Sequence, residues 1–101
     1  MNWYIEAGRP SIINEKTIEA ARLISAIYLY HGLGGYAHGV IEHWQLEDTA
    51  INCCLQRACE NKYHHCPEQV IAAMAALKAL KALSVEERYS ALALHYGYLQ
   101  V

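Results

Sequence analysis

The sequence predicts an all-α domain, a small bundle of about four helices with one irregular glycine-rich segment between the first and second. Three observations carry this. Apolar residues recur at helical spacing in four separate stretches, two of these open on recognisable capping residues, and only the short "AHGVIEHW" could be either an extended segment or a single helical turn. The whole chain, residues 1–101, reads as a single helical domain.

The first helix is read from "NEKTIEAARLISAIYLYHG". Asn14 is its N-cap, and Glu15 and Glu19 favour the positive helix start. Ala20, Ile24, Ile27 and His31 fall at helical spacing, flanked by Ala21 and Tyr28, and Gly32 is the expected stop. Gly32, Gly34 and Gly35 then break any regular element. The second helix is "LEDTAINCCLQRACENKY". Leu46, Ala50, Ile51, Cys54, Leu55, Ala58 and Cys59 form its apolar face, and Asp48 is its N-cap or first-turn acid.

Pro67 suits the first position of the third helix, with Glu68 beside it. Val70, Met74, Leu77 and Leu80 make one stripe, and the alanines between Ala72 and Ala82 let another helix approach closely. "SVEE" is a capping box, in which Ser84 caps the amide of Glu87 and Glu87 reaches back. The last helix carries Val85, Tyr89, Leu92 and Tyr96 at helical spacing and ends at Gly97.

Composition limits the function. A chain of 101 residues buries roughly 60–65% of the surface its unfolded form exposes. Yet 54% of the residues are apolar and only 18% charged, which favours a homo-oligomer, a dimer first, or an obligate partner. The net charge is −2 and the basic residues are scattered from Arg9 to Arg88, so nothing steers the chain to nucleic acid. No apolar run reaches the ~18 residues of a membrane span. "MNWYIEAGRP" lacks the basic and apolar regions of a signal peptide, and a cytoplasmic location is expected. Cys53, Cys54, Cys59 and Cys66 are then expected as thiols.

The densest chemistry lies in "HGLGGYAHGVIEHWQLED", residues 31 to 48. His38, His43 and Asp48, with His31, Glu42 and Glu47 nearby, supply nitrogen and oxygen donors for a metal or small ligand, zinc being the metal considered. Zinc needs three or four donors converging at about 2.0–2.3 Å, and neither an HExxH nor an i, i+4 histidine pair is present. Cys59, His64, His65 and Cys66 form a second donor set without a CxxC. Cys54 lies on an apolar face, where burial raises a thiol's pKa and makes it inert. The simpler reading of the segment is a sharp glycine turn, built on Gly34 and Gly35, that leads to a helix entrance at Asp48. No catalytic constellation emerges, and a non-enzyme is expected.

Partner binding is the stronger reading. The chain has eight tyrosines, two tryptophans and no phenylalanine. Tyrosine and tryptophan anchor interfaces because each joins an apolar body to a polar tip. Trp44, Tyr36 and Tyr98 lie outside any helical period and are the expected partner-binding residues.

The stretch "GGYAHGVIEHWQLEDTAINCCLQRA" resembles a segment of small bacteriophage and prophage proteins with a Gly-Gly-x-x-His-x-Val, acidic turn, Glu-Asp-x-x-Ile-x-x-Cys pattern. The matching positions are Gly34, Gly35, His38, Val40, Glu47, Asp48, Ile51 and Cys54. The tail "LSVEERYSALALHYGYL" is similar to theirs too, and together the two cover a little under half the chain. Where that family has an Asp-Asp pair and an Asn, this chain has Glu42-His43 and Gln45, which weakens a divalent-cation role. The resemblance implies an accessory phage product inside a bacterial cell. By analogy with anti-CRISPR proteins, it would bind and block a host protein.

Overall fold

The computed structural model describes residues 11–30, 47–61 and 67–100. Four helices and no strand occur among them: α1 (Glu15–Leu29), α2 (Asp48–Asn61), α3 (Pro67–Lys81) and α4 (Val85–Tyr96). The chain is therefore all-α. Gly34, Gly35, Tyr36, His38, His43, Trp44, His64, His65 and Cys66 lie outside the described residues.

Helix α1 begins where its sequence says it should. The Asn14 side chain accepts from the Thr17 amide at 2.9 Å, and Thr17 Oγ1 accepts from the Asn14 amide at 2.9 Å. These bonds satisfy donors that a helix start otherwise leaves open. The far end differs from expectation. The helix stops at Leu29, and Tyr30 is extended at φ −83°, ψ 98°. Leaving the helix there buries the Tyr30 ring to 2% exposure, so tertiary packing overrides a period that would have run on to Gly32.

The closest backbone pairings run α2–α3–α1–α4. Helix α3 lies between α1 and α2, and its buried Ala73 and Ala76 let the neighbours come close. Ile24 and Ile27 of α1, Ile51 and Cys54 of α2, Leu77 and Leu80 of α3 and Leu92 of α4 are fully buried in one core. Met74 packs at its edge. Each such side chain contributes roughly 1.5–3 kcal/mol relative to exposure.

Among the described residues, Cys59 and Val85 were expected on apolar faces and fall outside the core. Cys59 is exposed. Helix α2 packs mainly on α3, so its buried arc is narrow and centres on Ile51, Cys54 and Ala58. Val85 is exposed too, in the first turn of α4.

Helix α4 opens with the Ser84–Glu87 box. The Glu87 amide donates to Ser84 Oγ at 3.2 Å, and Glu87 Oε1 accepts from the Ser84 amide at 3.1 Å. Its end is set by Gly97, at φ +83°. Few L-residues adopt that left-handed conformation, and glycine adopts it freely.

Candidate functional site: an aromatic face at the end of helices α1 and α4

Helices α1 and α4 run parallel. Their starts meet where Asn14 Nδ2 donates to Glu87 Oε2 at 3.3 Å, and their ends meet where the Tyr28 and Tyr96 hydroxyls share a short hydrogen bond. The two ends have different chemistry.

The starting end is closed by hydrogen bonds. Glu87 holds its own cap with one carboxylate oxygen and the cap of α1 with the other. Ser90 Oγ, fully buried, accepts from the Ile12 amide and donates to the Glu86 carbonyl, each at 3.0 Å. The largest polar commitment is Arg88. Its side chain is 5% exposed. Nε donates to the Leu80 carbonyl at 2.8 Å and the Leu83 carbonyl at 3.1 Å, and Nη2 to the Lys81 carbonyl at 3.1 Å. Nη2 also meets Asp48 Oδ1 at 2.5 Å. One guanidinium thus caps the end of α3 and pins the start of α2.

This geometry bears on Asp48, one of the expected ligand residues. Asp48 is the first residue of α2, as a first-turn acid should be, and its carboxylate is engaged by Arg88. Among the described residues no three histidines, cysteines or acids cluster as a metal site would require. His38 and His43, its proposed co-ligands, lie outside those residues. Burial pushes the Cys54 thiol up to about 11. Its nucleophilic thiolate is therefore scarce near neutral pH.

At the other end aromatic rings gather. The Gly97 amide donates to the Ala93 and Leu94 carbonyls, and the Tyr98 amide to the Ala93 carbonyl at 2.8 Å. The chain thus folds back over the last turn of α4. The turn sends Leu99 against the core and leaves Tyr98 53% exposed. Tyr98 lies 6.1 Å from Tyr96 between ring centroids. His95 meets Tyr96 edge-on at 5.0 Å and stacks near-parallel to Tyr28 at 6.4 Å. These are separations at which rings attract. Tyr28, read from sequence as a flank of the core, is instead at the surface, 36% exposed.

Beside this face runs a groove of about 560 Å³ between α1 and the end of α4. Ile18, Ala21 and Arg22 form one wall, and Leu94, His95 and Leu99 the other. That volume lies within the range of small-ligand sites, roughly 300–1,000 Å³. His95 belongs to both groove and aromatic face.

No family model, curated protein or solved structure matches the chain.

Of the expected partner-binding residues, Tyr98 sits on this face. Tyr36 and Trp44 lie outside the described residues. Sequence reasoning missed Tyr28, His95 and Arg22, because nothing local says that the end of α1 will lie beside the end of α4. It also missed Arg88, whose one visible signal was its place just after the capping box. Among the described residues, no helix is long and apolar enough to cross a membrane.

Proposed function

We propose that this chain is a non-enzymatic binding protein that docks on a protein partner through the face made by Tyr28, His95, Tyr96 and Tyr98. The observation that carries the reading is Tyr98 itself. A left-handed glycine turn holds its half-exposed ring beside that of Tyr96, which in turn meets His95 and Tyr28. Large rings on a fixed backbone lose little conformational entropy on binding, which is why such residues anchor interfaces. Tyr36 and Trp44 extend the reading to the glycine-rich segment.

The resemblance to bacteriophage and prophage proteins supplies the partner class, a host protein inside a bacterial cell. Its sharpest form is an inhibitor of a host defence complex. Exposed Leu29 and Ile71, 61% and 67% accessible, are apolar surface that a homodimer would cover.

Tyr98→Ala tests the reading, because the ring is peripheral to the core. We expect partner capture from host lysate to be lost while the melting midpoint stays within a degree or two. Capture that survives both Tyr98→Ala and Tyr28→Ala would remove this face from the interface.

A further inference from the structure

We infer that the groove beside the aromatic face receives an apolar peptide segment of the partner that carries a carboxylate, which Arg22 reads. The inference rests on the docking reading and names the chemistry of what is docked.

The argument is one of charge and position. The groove's apolar lining residues are Ile18, Leu94 and Leu99, and its polar lining residues are Arg22, His95 and Gln100. Among the described residues no carboxylate lines it. The second groove of α1, on its other flank against the end of α3, is mostly apolar and has Glu15 and Glu19 beside Lys16 among its lining residues. The charges of the lining residues therefore favour an acidic segment on the first flank over the second.

Arg22 is placed to respond. Its side chain is 74% exposed, and its ion pair with Glu19 is long, at 3.7 Å. Exposed pairs of this kind contribute little and exchange readily. A guanidinium presents a planar fork that matches a carboxylate, so it selects for that group more sharply than lysine would. Arg88, four-fold engaged and buried, has no such freedom.

The probe is a short, end-blocked peptide alternating leucine and glutamate, compared with its leucine–glutamine counterpart. Each is titrated into the full chain and followed by amide chemical shifts. The glutamate peptide should bind about fivefold more tightly at low salt, a difference expected of one exposed charge pair. It should move the amides of Ala21, Arg22, His95 and Leu99. Arg22→Gln should erase the preference and leave affinity for the glutamine peptide unchanged. Equal affinities, shifts confined to other surfaces, or no binding of either peptide would overturn the inference.

Capture of the natural partner separates this failure from failure of the docking reading. Loss in Tyr98→Ala with full retention in Arg22→Gln keeps the aromatic face as the interface and discards the carboxylate. Loss in neither variant discards both.

Discussion

The two ends of the α1/α4 pair use the same kind of junction for different purposes. Where the helices start, Asn14, Ser84, Glu87, Ser90 and Arg88 direct their polar groups inward at one another and at backbone carbonyls. Where they end, Tyr28, His95, Tyr96 and Tyr98 meet in one stacked, one edge-on and one tilted ring contact, with a hydroxyl–hydroxyl hydrogen bond, and leave ring surface outside. On the docking reading, the contrast separates stability from recognition. Polar groups that find partners within the chain fix geometry, and apolar rings left at the surface remain for a partner to cover.

If that division is right, substitutions at the starting end act on stability. The largest effect is expected from Arg88→Met. Removing the guanidinium strips donors from the Leu80, Lys81 and Leu83 carbonyls and leaves Asp48 without its cation. We expect a loss of about 3 kcal/mol by chemical denaturation, a large share of the ~5–15 kcal/mol typical of a domain. A loss below about 1 kcal/mol would mean that water replaces the guanidinium without cost, and the closed end would not be closed.

The aromatic end has one structural requirement of its own. Gly97→Ala places a side chain at φ +83°, where there is open space but backbone strain. The expected cost is about 1–2 kcal/mol, with weaker partner capture because the turn aims Tyr98. Unchanged capture in a variant destabilised to this extent would show that the turn supports the fold alone.

Ser84→Ala returns to the starting end with a smaller effect, about 1 kcal/mol for a lost N-cap. Thermal melts should show it with partner binding intact.

Acid gives the mildest perturbation of the same junction. Hydrogen bonds from the Ser84 amide, the Asn14 side chain and the Ser84 hydroxyl, helped by the Lys16 charge, hold the Glu87 carboxyl below its ordinary value. A carboxylate depressed in the folded state adds stability above its unfolded pKa, and that stability disappears as pH falls through the folded value. The gap in melting midpoint between the parent chain and Glu87→Gln should therefore be widest near neutrality and close in acid. A gap independent of pH would show that the charge on Glu87 has no part in the clasp.

Much of this arrangement was legible in the residues. The caps at Asn14 and Ser84, the start at Pro67 and the stop at Gly97 are local chemistry, decided within a few residues, and they stand where the sequence places them. The apolar stripes are also local, since a 3.6-residue period is a property of one helix. What was not legible concerns neighbours. Cys59 and Val85 share the period of their helices and lie outside the core, because the width of a buried arc depends on how many helices press on it. Tyr30 leaves the helix and is buried in the core that the helices share. The Asp48–Arg88 contact joins residues 40 apart, which no spacing rule reaches.

The sequence by itself therefore determined the helical class, four of the helix boundaries and the identity of most core residues, through backbone geometry and hydrophobic period. Only the tertiary structure decided that α1 and α4 lie parallel. That one fact clasps two caps together at one end and gathers four rings at the other, because contacts between distant residues depend on how helices pack and not on what either helix contains.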